Sequence, residues 1–302
     1  MMGKRLLGII VLIMLLVGCS NQTEKTGKEE KEEKKEILTI GIVPSQSEGE
    51  MQTAINKLKE ELSKKLGQEV KIDYYPSYNG VVEALNYNHI DMAYFGPLTY
   101  VIAHERSGAK AIITQLVDGE PYYYSYIITR ADSKWDTLDD LLKDRQNVKF
   151  AFGSMSSTSG SLIPGIELKK RGVFVSENDH EFKSVTYTGS HDVTARAVQN
   201  KSVDAGAIDS AIFNSLAKTG KIDKEQFKII WKSEKLFQYP WAVSKETDEK
   251  TIKKLQEAFL SITDKDILNA FGATGFTKAS NKDYASIREA AIKDGRMDDD
   301  LD

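Results

Sequence analysis

Five of the six residues from Ser154 to Ser159 carry hydroxyls, with Met155 the exception, inside the stretch "GSMSSTSGSLIPGIELKKRG" (153–172). "VKFAF" just before it reads as a strand, and Leu162 to Arg171 reads as a helix stopped by Gly172. The first N–H groups of a helix have no internal acceptor and lie at the positive end of its dipole, so this junction suits an oxyanion. Ser157, Thr158 and Ser159 would add hydroxyl donors there. Neutral donors hold an anion without a buried, fixed cation. The plainer reading of the same residues is that they cap a helix and make a turn.

Rival chemistries fail on spacing. A phosphate-cradling P-loop needs a lysine after its second glycine, and none follows Gly160. A nucleophile elbow needs G-x-S-x-G, and no serine of the cluster has glycines on both sides at that distance. His89, His104 and His180 have no partner four residues away and no acid at ligand spacing, so neither a metal site nor a cofactor is expected. Cys19 is the only cysteine, which excludes an internal disulfide, a CxxC pair and a thiolate cluster. Lys plus Arg total 41 against 45 Asp plus Glu, so no nucleic acid is expected as a partner.

The N-terminus sets the expected location. Met1 to Arg5 is basic, Leu6 to Val17 is apolar apart from Gly8, and "LVGC" ends the run at Cys19, the layout of a signal peptide. The run is shorter than the roughly 20 residues a membrane-spanning helix needs. "LVGC" resembles the bacterial lipobox, which implies cleavage before Cys19 and a diacylglycerol on its thiol. Residues 1–18 are thus read as the signal peptide and 19–36 as a lipidated tether on the extracytoplasmic face of the cell membrane. Within the tether, "TEKTGKEEKEEKKE" carries six acids, five lysines and no large apolar residue, so it buries too little to offset its ordering entropy.

From Ile37 the pattern runs strand, helix, strand, helix, strand through "ILTIGIV", 49–66, "EVKIDYYP", "YNGVVEALNYNHI" and "DMAYF". It restarts after "YYYSYIITR", with strands at "VKFAF", "EFKSVTYT" and "VDAGAID" and helices between them; "FQYPWAVSK" offers a crossing back. The expected fold is α/β, two lobes joined by two hinge crossings, each a mostly parallel sheet flanked by helices. Lobe 1 takes 37–127 plus 241–302, and lobe 2 takes 128–240. Thr251 to Asp264 and Lys282 to Lys293 read as packing helices, and Tyr122 to Tyr124 as hinge packing. Two such lobes can close over a ligand.

"SSTSGSLIPG" (156–165), "PSYNGVVEALNYNHIDMAYFGP" (76–97) and "TGSHDVTARAVQNKSVDAGAID" (188–209) together resemble the phosphonate, phosphite and phosphate binding proteins of ABC importers, the PhnD-like group. The likeness covers almost all of the body, in order, and implies the two-lobed periplasmic-binding-protein fold of type II kind. It implies Ser157, Thr158 and Ser159 as oxyanion donors, Tyr78 as a phenol from lobe 1, His191 reaching the ligand from a helix start, and Tyr94, Phe95 and Gly96 at the cleft. The sequence departs from aminoethylphosphonate binders at Phe95, where they have a tyrosine, and at Ala211 and Tyr239, where they have carboxylates for the ligand's ammonium. An unpaired ammonium in a closed cleft costs several kcal/mol. The expected ligand is therefore phosphite, phosphate or a small alkylphosphonate.

Asp209, ending a strand on the crevice side, offers only acceptors and would favour an oxyanion that keeps a proton over sulfate. Asp192 either shares that task or caps its helix. The function this supports is a non-enzymatic capture protein, a monomer handing its ligand to a permease and ATPase. A lipoprotein sensor for the same anions shares every residue argument, and a serine hydrolase lacks a recognisable base.

Overall fold

In this computed structural model the described residues are 37–297, so the leader, Cys19 and the tether lie outside them. Lobe 1 begins β1 (Leu38–Ile42), α1 (Glu48–Leu66), β2 (Val70–Tyr74), α2 (Tyr78–Asn86), β3 (Met92–Tyr94), α3 (Pro97–Ser107) and β4 (Lys110–Leu116). A short β5 (Tyr122–Tyr123) leads to lobe 2, which holds β6 (Ser125–Arg130), α4 (Leu138–Lys143), β7 (Lys149–Phe152), α5 (Ile163–Lys170), β8 (Phe174–Ser176), β9 (Asp179–His180), β10 (Ser184–Tyr187), α6 (His191–Gln199), β11 (Ala205–Asp209), α7 (Ser210–Lys218) and β12 (Phe227–Lys232). The chain returns through β13 (Leu236–Phe237) to β14 (Pro240–Val243), α8 (Glu249–Leu260), α9 (Lys265–Ala270), β15 (Gly275–Lys278) and α10 (Ala285–Lys293).

The sheets are ordered β15-β4-β14-β3-β1-β2 and β10-β7-β11-β6-β12. Strands β2, β1, β3 and β4 run one way and β14 and β15 the other; in the second sheet only β6 opposes its neighbours. The exceptions are strands that enter after a crossing or close an edge, which leaves the predominantly parallel direction that the alternation predicts. The crossings touch, because β5 pairs with β13.

Helix α1 shows why the local reading works: Met51, Ile55, Leu58 and Leu62 bury one face at helical spacing, and Gly67 at φ 69° ends it in the left-handed region. Two expectations are corrected. The helix expected over 251–264 ends at Leu260, and Lys265–Ala270 forms a separate α9 with its own cap at Asp264. In addition α9 reaches lobe 2, where Ser215 Oγ donates to the Asn269 carbonyl and Lys218 Nζ to its side chain at 3.2 Å. Nearby, Gly272 lies so close to Ala211 that a Cβ there would sit 3.0 Å from the Ala211 carbonyl carbon. The lobes meet. No helix among the described residues is long and apolar enough to cross a membrane.

Candidate functional site

The carboxyl ends of parallel strands converge where the lobes meet, the crevice position of open α/β sheets. Tyr78 starts α2 after β2, Tyr94 ends β3 with Phe95 and Gly96 after it, Ser157 to Ser159 follow β7, His191 starts α6 after β10, and Asp209 ends β11. Ser157, Thr158, Ser159, His191, Asp209, Tyr78, Tyr94 and Phe95 are all buried, at 2% exposure or less.

The serine loop folds differently from the plain α-helix expected. Thr158 to Leu162 make a π-helical turn that runs into α5. Pro164 has no N–H to offer the Gly160 carbonyl, which instead accepts from Gly153 at 2.8 Å and ties the start of the loop to its end. A wide turn also leaves one more N–H without an intrahelical acceptor than an α start does. Both readings of the hydroxyls hold at once. Ser157 Oγ caps the turn by accepting from Gly160 N–H at 3.0 Å, and Thr158 Oγ1 accepts from Leu98 N–H at the start of α3 at 2.8 Å. Each oxygen, having accepted, keeps its own hydrogen to donate. Ser159 Oγ is buried with no partner.

His191 is fixed as a neutral donor. Its Nδ1 accepts the backbone N–H of Asp209 at 3.3 Å, so the ring hydrogen sits on Nε2, which lies 3.2 Å from Tyr239 Oη and 3.5 Å from Ser157 Oγ. Burial pushes its pKa down to about 4. An imidazole with its Nδ1 lone pair engaged and hydrogen on Nε2 cannot take the Ser157 proton, so the pair is not a nucleophile and base.

Among the described residues Asp209 is the one carboxylate turned into this space. Its Oδ1 accepts from Ala211 N–H at 2.7 Å and Ile212 N–H at 3.0 Å, capping α7, while Oδ2 is buried without a partner. Burial pushes the carboxyl up to about 7, although both backbone bonds pull the other way. Around it stand phenols raised by burial: Tyr78, beside Tyr239 and Ser157, and Tyr123, beside Ser159 and Thr158. The Tyr78 and Tyr123 hydroxyls are buried without partners. Among the described residues the only buried cationic side chain is Arg296, engaged by Asp294 and the Met155 carbonyl.

The remaining expectations divide. Tyr94 Oη accepts from Gln115 at 2.8 Å and its ring stacks on Tyr239, so Gln115 and Tyr239 hold it behind the site while its own hydrogen stays available to donate. Phe95 gives its N–H to the Pro240 carbonyl at 3.0 Å, so that N–H does not replace the missing phenol. Gly96 packs near Tyr78 and Tyr239. Asp192 does not cap α6. Its carboxylate reaches Ser47 of lobe 1. Tyr239 lies at the site, at a position the resemblance marks only for its missing carboxylate, and Tyr123 joins it without having been expected there; Tyr123 lies in the hinge strand as foreseen, but alternation turns its ring inward while Tyr122 faces solvent at 38% exposure.

Four buried hydroxyl or carboxylate oxygens without partners, in a space free of fixed cations, make a site that lacks hydrogen-bonding atoms of both kinds. The sequence pattern described as ABC transporter, phosphonate, periplasmic substrate-binding protein matches residues 40–284. The phosphonates-binding periplasmic protein of Escherichia coli is 29% identical over 265 residues, covering 85% of this chain and 77% of that protein. The probable ABC transporter phosphite binding protein PhnD1 of Prochlorococcus marinus is 27% identical over 269 residues, 85% of this chain and 90% of its own. The solved structure of PhnD1 with methylphosphonate superposes with a TM-score of 0.76 over 86% of this chain and 98% of that one. A binding protein component of an ABC phosphonate transporter from Pseudomonas aeruginosa gives 0.75 at 25% identity, over 87% of each chain. With the family matched across nearly the whole described body, the chain belongs to the periplasmic phosphonate-binding proteins of ABC transporters.

Proposed function

We propose that the protein captures a small, singly protonated phosphorus oxyanion, phosphite, phosphate or a short alkylphosphonate, by closing its lobes at the β5–β13 crossings, and delivers it to a permease and its ATPase. Substrate-binding proteins of ABC importers work outside the cytoplasmic membrane, and lipid on Cys19 would hold this one there as a monomer. We place the lobe division at the crossings, near 117–124 and 233–239, which moves Ser125 to Ile127 from lobe 1, where the sequence pattern put them, into lobe 2 with the rest of β6.

The observation that carries the reading is that Asp209 Oδ2 and the Tyr78, Tyr123 and Ser159 hydroxyls are all buried without a hydrogen-bond partner. The hydroxyls, with His191 Nε2–H, supply neutral donors to ligand oxygens. Asp209 accepts from the one ligand oxygen that is protonated. Either the ligand or Asp209 carries that proton, so the complex avoids two facing anions. Sulfate brings no proton at neutral pH, so Asp209 must take one up from solvent, against its ordinary acidity in the open protein, or face the ligand as a carboxylate. Contacts from both lobes make the ligand bind the closed form better than the open one, which drives closure.

Thermal shift and calorimetry with phosphite, phosphate, methylphosphonate, aminoethylphosphonate and sulfate test this. Stabilisation following RT ln(1 + [L]/Kd) with one or two small phosphorus oxyanions, and none with sulfate, is the expected result. Stabilisation by sulfate at similar concentration, or by none of the five, overturns it. Transport assays with the cognate permease separate import from a sensing role for the same anions.

A further inference from the structure

The rim of the cleft carries a second set of contacts that touch no ligand position. Helix α1 presents its N-terminus to lobe 2, and its cap residue Ser47 makes no side-chain bond to its own helix. The Ser47 N–H donates to Asp192 Oδ1 at 2.9 Å, and the Ser47 hydroxyl donates to Asp192 Oδ2. Asp192, from the first turn of α6 in lobe 2, therefore holds the N-cap residue of a lobe 1 helix and sets its negative charge at that helix's positive end. Its side chain is fully buried, and hydrogen bonds from Ser47 and Ser190 outweigh that burial and hold its pKa below the ordinary value.

One turn further along α1, Glu50 pairs with both Arg196 of α6 and Lys221 beyond α7. Arg196 also lies 3.6 Å from Asp192. Charges alternate across the rim: the positive end of α1, Asp192, Arg196, Glu50, Lys221. Apart from the Arg196–Asp192 and Ser190–Asp192 contacts, which lie within lobe 2, each contact joins one lobe to the other and can form only when the lobes are shut. Asp192 follows His191 directly, and the His191 N–H itself donates to the Ser45 carbonyl of lobe 1 at 3.0 Å. The histidine at the ligand site and the carboxylate of the rim thus arrive on one helical turn.

We infer that Asp192 and Glu50 form a closing clasp: they set the lifetime of the shut complex without touching the ligand, and by the same factor for every ligand the cleft accepts. The inference rests on the capture function proposed above. A contact made only in the closed state acts on release, because the encounter with the open form precedes it. Loss of charge-assisted hydrogen bonds of this kind corresponds to about ten-fold in affinity.

The test is stopped-flow binding and release of phosphite and methylphosphonate by the wild type, Asp192→Ala, Ser47→Ala, their double variant and Glu50→Gln, with melting of the ligand-free proteins alongside. Expected are release rates about ten-fold faster in Asp192→Ala, association rates nearly unchanged, equal factors for both ligands, non-additive effects in the double variant and unchanged ligand-free melting. Glu50→Gln should speed release and weaken its dependence on salt. Unchanged release, a ligand-dependent factor, or a loss matched by lower ligand-free stability overturns the clasp. A wild type that binds neither probe sinks the capture reading instead; the clasp is then read by small-angle scattering of ligand-free protein, where an Asp192→Ala variant no more expanded than wild type overturns it.

Discussion

The backbone N–H of Asp209 donates to Nδ1 of His191 at 3.3 Å, so one strand end fixes both the carboxylate of the site and the tautomer of its imidazole. Burial then holds His191 near pKa 4, below the ordinary 6.5. In the open or unfolded protein the ring titrates near its ordinary value, so below about pH 6.5 it carries a proton that the closed complex must shed. Kd should rise as pH falls from about 6.5 toward 4, approaching ten-fold per unit, and the same depressed pKa makes stability of the closed form fall in that window. The ratio of the wild-type Kd to that of His191→Asn, which keeps an N–H donor without titrating, isolates the effect. A ratio independent of pH between 5 and 7 would exclude the neutral-donor role.

Asp209 predicts the opposite limb. Its pKa is raised to about 7, so the closed site retains a proton that an open carboxylate has lost above about pH 4. The complex holds one proton between Asp209 and the ligand, and at alkaline pH neither partner brings it. Kd should therefore rise toward ten-fold per unit as pH climbs above about 7. Asp209→Asn, able to donate to a fully ionised oxyanion, should flatten that limb and admit sulfate, which wild type should bind about a thousand-fold more weakly than phosphite. Retained discrimination in Asp209→Asn would remove the carboxylate from the selectivity mechanism.

How much of this was legible in the sequence follows from what each feature depends on. The α1 face and the strands ending at the crevice are set by local periodicity, so Ser157, His191 and Asp209 were found on strand-to-helix junctions. The π turn was not foreseen, because its carbonyls are held from outside their own run: Gly160 by the Gly153 N–H, and Ser159, which Pro164 leaves free in this register, by the Ser125 hydroxyl. Tyr123 reads as hinge packing and Tyr239 only as a missing carboxylate, because each lies on a crossing segment whose inward face is decided by how the lobes pack. The Asp192–Ser47 contact spans 145 residues and forms between lobes, beyond any local pattern. Its one sequence signal was an acid beside His191.

The unpartnered phenols give a prediction in which stability and binding separate. Tyr78 and Tyr123 bury hydroxyls without partners, an arrangement that weakens the ligand-free closed form. Tyr78→Phe and Tyr123→Phe remove only the oxygen, so melting of the ligand-free protein should hold steady or rise slightly. Bonds to a charged ligand contribute about 1.5–3 kcal/mol, so each variant should lose roughly ten- to hundred-fold in affinity. Calorimetry beside thermal melting checks both halves. A variant that melts lower yet binds as tightly as wild type would make that tyrosine a core residue only.

Gly160 offers the sharpest steric test, because its demand for a missing side chain comes from the site and not from backbone strain. A Cβ there would stand 2.9 Å from Ser157 Oγ, 3.0 Å from His191 Cε1 and 3.2 Å from the Gly153 Cα. Ser157 could swing its hydroxyl aside, but only by giving up the cap on the Gly160 N–H. His191 cannot retreat without breaking its bond to Asp209 N–H. Gly160→Ala should therefore displace two donors at once, lowering affinity by about hundred-fold or more while costing the fold about 1–3 kcal/mol of overpacking. Affinity for phosphite and methylphosphonate, measured on protein whose melting and circular dichroism show it folded, decides the point. Near-wild-type binding by Gly160→Ala would mean that neither Ser157 nor His191 holds the ligand in the position this loop geometry gives them.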